Sequence, residues 1–226
     1  MINGYECTKF KQMRKIFFGD IHGCFDELLL LLEKLSYNEK QDILYFVGDM
    51  INKGPKSKEV LDFIISHNCI SILGNHEYYF LKSLKEGNTE KFNDLILNLG
   101  TNLTSKYLPY LKSLKLFYNH DQFLMVHAGI IPNVALKEIS PNILTTIRTW
   151  DGVGNDLNNP KNPGWDEFYK DKKLIIHGHW AARGFYQKEN IIGLDSGCVW
   201  GNFLTAYVLE TNETFQVKAL DKYLEY

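Results

Sequence analysis

Five separate apolar runs in this chain give way at once to short glycine-containing turns that carry aspartate, asparagine or histidine. Lys15 to Phe18 leads into Gly19-Asp20-Ile21-His22-Gly23, and Ile43 to Val47 into Gly48-Asp49. Ile70 to Leu73 leads into Gly74-Asn75-His76-Glu77, Phe123 to Val126 into His127-Ala128-Gly129, and Leu174 to Ile176 into His177-Gly178-His179. Short continuous runs rich in Val, Ile, Leu and Phe read as strands buried on both faces. Open α/β sheets place their ligand sites at the carboxyl ends of such strands. The pattern therefore predicts a sheet structure with one site at its strand ends, built from side chains that bind metal.

Two further runs, Ile191 to Leu194 and Phe203 to Leu209, also read as strands. Helical periodicity is clearest at Phe25 to Leu35 and Lys58 to Ser66, and a longer helical stretch is expected from Tyr78 to about Lys115. This alternation predicts a layered α/β (α+β) architecture. No repeat, low-complexity tract or linker divides the 226 residues, so the expectation is a single domain over 1–226, with 1–14 as a flexible N-terminal extension. The segment Gly152 to Gly164, rich in Asn, Gly and Pro, reads as a long loop able to act as a lid.

Hydrophobic residues at 45% and charged residues at 23% match a water-soluble globular chain. The longest apolar stretch is broken by Glu33 and Lys34, too early for a membrane span, and no signal-peptide pattern opens the chain. A cytoplasmic location and no membrane partner are expected. A formal charge of -2 offers no general attraction for nucleic acid, and none is expected as a partner. Cys7, Cys24, Cys69 and Cys198 form no C-x-x-C pair and read as reduced, mostly buried thiols.

Hydrolysis of a phosphate ester or anhydride needs charge neutralisation, an activated water and help for the departing oxygen. Two adjacent divalent cations supply the first two. Carboxylate, imidazole and amide donors suit manganese, with iron, zinc, cobalt or nickel as alternatives, whereas a thiolate-rich set would not. Asp20 and His22 can reach one ion from a single turn, Asp49 can bridge, Asn75 can serve as a neutral amide ligand, and His127 and His179 can complete the coordination of the second ion. His76, adjacent to Asn75, suits a proton donor to the leaving group. His177 is expected beside the ligands rather than among them, while His67 and His120 read as ordinary polar histidines.

The ordered set G-D-x-H-G, G-D-x5-G-P, G-N-H-E, H-A-G and G-H resembles the phosphoprotein phosphatase family of calcineurin-like metallophosphoesterases, from about residue 16 to residue 205. That resemblance implies a β-sandwich flanked by helices with a dimetal site at the strand carboxyl ends. It implies Asp20, His22 and Asp49 around one ion, and Asp49, Asn75, His127 and His179 around the other. Where the family has G-D-x-x-D-R-G, this chain has Gly48-Asp49-Met50-Ile51-Asn52-Lys53-Gly54. Lys53 keeps the charge of a phosphate-gripping arginine without its bidentate fork, and Asn52 replaces an aspartate that pairs with the catalytic histidine. A second phosphate-touching arginine is expected at Arg148, with Arg183 as the alternative.

Within the family, His127-Ala128-Gly129-Ile130, Gly178-His179-Trp180 and Leu194-Asp195-Ser196-Gly197-Cys198-Val199-Trp200-Gly201 look most like the branch of symmetrical diadenosine tetraphosphatases. The resemblance thus implies hydrolysis of a dinucleoside polyphosphate to two nucleoside diphosphates by a metal-bridging hydroxide. The glutamate at Glu77 is instead common in protein phosphatases, so a serine/threonine phosphoprotein is the alternative substrate. Trp150, Trp165, Trp180, Trp200 and Tyr186 are candidates either for stacking an adenine or for packing the core.

Overall fold

A computed structural model describes residues 13–224. Two five-stranded sheets face each other. The first comprises β1 (Arg14–Phe18), β2 (Asp42–Phe46), β3 (Ile70–Ser71), β9 (Phe203–Val208) and β10 (Glu213–Lys218), in the order β10-β9-β1-β2-β3. The second comprises β4 (Phe117–Asn119), β5 (Phe123–Val126), β6 (Leu174–His177), β7 (Tyr186–Lys188) and β8 (Ile191–Gly193), in the order β4-β5-β6-β8-β7. In each sheet a parallel core carries the site-bearing turns, β1-β2-β3 in one and β5-β6-β8 in the other. The antiparallel strands β10, β9, β4 and β7 lie outside those cores.

Alternation along β1 shows how the layers assemble. Phe17 points between the sheets, stacked on Tyr45 at 4.6 Å and edge-on to Phe123 of the second sheet at 4.8 Å. Such aromatic pairs add about 0.5–1.5 kcal/mol each beyond burial of their area. Met125, Ile176, Ile192 and Tyr207 join the same inner core. Ile16 and Phe18 point the other way, onto α1 (Phe25–Lys34) and α2 (Ser57–Ser66), which bury Leu28, Leu31, Val60 and Ile64 there. The outer face of the second sheet is covered by α6 (Pro141–Thr146) and by Trp150 and Trp165, against Leu124, Val126, Ile175 and Ile191.

Several elements differ from the sequence expectation. The stretch from Tyr78 to Lys115 is not one helix. It consists of α3 (Asn75–Glu86), α4 (Asn93–Leu99) and α5 (Leu108–Ser113), joined by 3-10 and π turns. Gly87 ends α3 in the left-handed conformation (φ 72°), and Gly100 takes φ 60° after α4. β3 has two residues, because Ile72 bridges to Lys115 outside the named strands. Arg14, expected within the extension, instead opens β1 and forms a forked ion pair with Asp42. Met13 is exposed just before it, and residues 1–12 of that extension lie outside the described residues. No helix among the described residues is long and apolar enough to cross a membrane.

Candidate active site

The carboxyl ends of both parallel cores meet along one edge of the sandwich. Asp20 and His22 follow β1, Asp49 follows β2, Asn75 and His76 open α3 after β3, and His127 and His179 follow β5 and β6. The turns are tight enough to force unusual backbone. His22, Asp49, Asn52, Lys53 and His179 all have positive φ, between 48° and 73°. Non-glycine residues held there cost of order 1–3 kcal/mol each and persist only where their surroundings over-determine them. Gly48 shows why: at φ 99°, a Cβ would stand 2.6 Å from the amide nitrogen of Gly74.

Glu77, in the first turn of α3, holds two of these turns together. Fully buried, its carboxylate accepts from the backbone N–H groups of Asp49, Met50, Ile51 and Gly74 at 2.8–3.1 Å. Burial pushes it up to about 7, and the neighbouring Asp49 adds to this, while the amide donors pull it down. Glu77 thus does more than mark a difference between branches. Its structural role has a signal in the sequence: an acid three residues after a helix-initiating glycine is in reach of the first-turn amides.

The donor atoms converge. Asp49, His127 and His179 each offer one ligand atom within 4.8 Å of the others, and so do His22, Asp49 and His76. The His127 Nδ1–H donates to Val47 O at 2.8 Å, leaving Nε2 to face Asn75 Oδ1 at 2.9 Å and Asp49 Oδ2 at 3.5 Å. The His179 Nε2–H donates to Thr146 O at 3.1 Å, leaving Nδ1 2.8 Å from the same Asn75 oxygen. His22 Nδ1 lies 3.3 Å from Ile51 O, so its Nε2 faces Asp49 Oδ2 at 3.5 Å. Backbone carbonyls thus set the tautomers and aim lone pairs at other lone pairs, an arrangement that calls for a shared cation.

Electrostatics makes the same demand. Burial, then the nearby Asp195, pushes Asp20 well above the usual carboxylate range, and burial raises Asp195 too. Burial holds His22 and His179 well below the usual histidine range. Burial also opposes charge on His127 and Asp49, but their mutual attraction outweighs it, pushing His127 up to about 10 and holding Asp49 well down, so the Nε2 position draws either a proton or the cation that would replace it. Asp20, Asp49 and Asp195 are all buried at one cleft, so positive charge must be supplied. Oxygen and imidazole donors in this number fit divalent cations of intermediate hardness.

Around this floor opens a cleft of about 430 Å³. Lys53, Arg148, Trp180 and Trp200 line it, with Asp195 deeper in. Lys53 Nζ lies 3.4 Å from His22 Nε2 and 5.0 Å from the Trp200 ring centre. Arg148 reaches over the second sheet and donates to His179 O at 3.2 Å. Arg183 is elsewhere: it forks onto Asp166 and stacks between Trp180 and Tyr186. Trp150 and Trp165 belong to the core, their indole N–H groups donating to Gly154 O and Ala128 O. The loop from 152 to 164 forms no wall of the cleft. Thr149 and Trp150 pair with Gly164 and Pro163 to close its base, and Asp156, Asn159 and Asn162 bond within it.

Asn52 Oδ1 accepts the Lys53 N–H at 2.9 Å, which fixes the amide so that its NH2 donates to His76 Nδ1 at 3.0 Å. His177 is buried against Trp165, with Nδ1 on Gly178 O and Nε2 unpartnered among the described residues. His67 bonds Phe63 O, and His120 accepts from Gln122 N–H. Asp195 lines the cleft as well, although it is not among the ligands expected from the sequence. Yet it ends the β8 run as Asp20 ends β1, the same signal at a sixth strand.

Paired sheets whose strand ends gather acid, amide and imidazole around one cleft define a metallophosphoesterase. A family model described as calcineurin-like phosphoesterase matches residues 13–214, and the chain belongs to that family. It is 30% identical to a symmetrical bis(5'-nucleosyl)-tetraphosphatase of Aliivibrio fischeri strain MJ11, covering 93% of this chain and all of that one. It is 31% identical to a protein of the same name from Neisseria gonorrhoeae strain NCCP11945, over 89% of this chain and 94% of the relative. A crystal structure described as that of a candidate diadenosine tetraphosphatase superposes with a TM-score of 0.81 at 29% identity, covering 94% and 96% of the two chains.

Proposed function

We propose that this chain, acting as a single cytoplasmic domain, hydrolyses dinucleoside polyphosphates, diadenosine tetraphosphate foremost, to two nucleoside diphosphates. Asp20, His22 and Asp49 would hold one divalent cation, and Asp49, Asn75, His127 and His179 the other; manganese suits this oxygen and nitrogen set. Such a pair, when bound, neutralises phosphoryl charge and lowers the pKa of the attacking water. Lys53 and Arg148 add positive charge at the rim, where the substrate's remaining phosphates must lie.

The observation that carries the reading is the Asn52–His76 pair. Because the Asn52 amide donates to Nδ1, the proton of the neutral ring stands on Nε2. Burial pushes His76 down to about 4, and Asn52, unlike an aspartate, does nothing to restore the imidazolium. His76 can therefore give a departing oxygen a hydrogen bond rather than a full proton. That is enough for a nucleoside diphosphate, which leaves as a weakly basic anion, and poor for a serine or threonine alkoxide. Trp180 and Trp200 at the mouth offer faces for a base, and the named relatives point the same way.

Incubating manganese-loaded protein with diadenosine tetraphosphate and, separately, with a phosphoserine peptide separates this from the protein-phosphatase alternative. Adenosine diphosphate as sole nucleotide product is expected. Peptide dephosphorylation without dinucleotide cleavage would reject the proposal.

A further inference from the structure

Behind the cleft the chain gathers a second group of metal-capable side chains with a different chemistry. Cys24 immediately precedes α1, Glu27 lies in its first turn, and Cys198 begins the 3-10 turn Cys198–Trp200 beyond β8. One ligand atom from each lies within 4.8 Å of the other two. All three residues are buried, Glu27 completely. Glu27 Oε1 accepts the N–H of Leu220 and the O–H of Tyr223, both at 2.9 Å. Its other oxygen, Oε2, is equally shut off from water and has no hydrogen-bond partner among the described residues. A buried carboxylate oxygen without a donor or cation is strongly unfavourable. The carboxyl group stands beside two sulfur atoms, and a shared ion there would satisfy it.

We propose that Cys24, Cys198 and Glu27 form a third cation site, selective for a soft divalent ion such as zinc or cadmium. The selectivity follows from the donors. Two sulfurs favour soft ions, whereas the six side chains of the cleft offer only oxygen and nitrogen. On binding, both S–H bonds break, two metal–sulfur bonds form, and the two protons pass to solvent. The ion would fasten the start of α1 to the turn after β8, and through Glu27 to the segment holding Leu220 and Tyr223.

Cadmium is the probe, because its thiolate bonds give an ultraviolet charge-transfer band that no ligand in the cleft can produce. Reduced, manganese-loaded protein titrated with cadmium should develop that band with one equivalent bound per chain. Cys24→Ser and Cys198→Ser should each abolish it, Glu27→Gln should weaken cadmium binding by about tenfold or more, and a Cys7→Ser, Cys69→Ser double variant should leave it unchanged. X-ray absorption at cadmium on the unaltered protein should count two sulfur neighbours, a test that does not depend on any variant folding. A reduced protein with no band, a band that survives Cys24→Ser or Cys198→Ser, or a shell of oxygen and nitrogen alone would overturn the proposal.

Discussion

The floor and the rim of the cleft are built by different means. On the floor, Asp20, His22, Asp49, His127 and His179 are buried, sit at strand ends, and are aimed by backbone groups such as Val47 O, Thr146 O and the amides around Glu77. On the rim, Arg148 is exposed and Lys53, Trp180 and Trp200 only half-buried, and side chains do the bracing: Asp166 holds Arg183, and Arg183 stacks on Trp180. A site fixed by backbone tolerates little change and serves the chemistry. A rim fixed by side chains can be altered piece by piece, and under the proposed function it is where a base would be held.

Substitutions should separate the two regions by the size of their effects. Asp49→Asn removes the one carboxylate shared by both donor groups. It should deplete both cations and lower turnover on the order of a thousandfold, several kcal/mol of lost transition-state stabilisation; full metal content by elemental analysis would break the floor account. His76→Ala should keep its metal. Dinucleotide cleavage should fall by about tenfold, the worth of one hydrogen bond to the departing oxygen, and turnover of a simple alkyl phosphate, which needs a full proton that the ring does not supply, by clearly less. Equal losses on the two would contradict the role given to the Asn52–His76 pair. Glu77→Gln replaces an acceptor of four amide bonds with a group whose NH2 must face donors. It should weaken metal binding by about 10–100-fold while leaving the fold intact by circular dichroism.

Rim changes should be smaller and selective. Trp180→Ala should raise KM for the dinucleotide by about tenfold, within the ~1–3 kcal/mol of one stacked base, and leave a phosphate ester without a base unaffected. Loss of both activities together would move Trp180 to the floor. The brace beneath it predicts a pH effect. Burial raises the Asp166 carboxyl, but Arg183 and Tyr186 outweigh this and hold it below the usual value. A folded pKa below the unfolded one gives stability that is present above the unfolded pKa and lost as pH falls through the folded one. Thermal stability should therefore decline below about pH 4. Asp166→Asn should cost about 2 kcal/mol at neutral pH, in the range for hydrogen bonds to charged groups, and flatten that decline.

The same division decides how much of the fold and of the site is legible in the amino-acid sequence. Strand ends announce themselves because a buried parallel strand must be continuously apolar and a metal-holding turn must contain glycine. So Phe18-Gly19-Asp20 and Val47-Gly48-Asp49 are visible as written. β10, with Glu213-Thr214-Phe215-Gln216-Val217-Lys218 on a half-exposed edge, and the three-residue β4 and β7 carry no comparable signal. The breaks between α3, α4 and α5 are marked by Gly87 and Gly100, yet helical periodicity on either side masks them. α6 escapes the periodicity because it is only six residues long, although Ser140 and Pro141 form a start signal, with the Ser140 hydroxyl accepting from Ile143 N–H. For the rim, position in sequence favours Arg148 over Arg183, but only the Asp166 fork shows where the Arg183 side chain is engaged. Among the four tryptophans, Trp180 and Trp200 directly follow site motifs and line the cleft, whereas Trp150 and Trp165 fill the core, but adjacency to a motif does not by itself say whether an indole faces the cleft or the interior. Which face a side chain presents depends on partners distant in sequence.

Six side chains, Asp20, His22, Asp49, Asn75, His127 and His179, should together hold two ions. Anomalous diffraction from crystals grown with manganese tests this most directly. Two peaks about 3.5–4 Å apart, with Asp49 reaching both and Asn75, His127 and His179 gathered on one, are the predicted result. A single peak, or two peaks that leave Asp49 or Asn75 without contact, would contradict it.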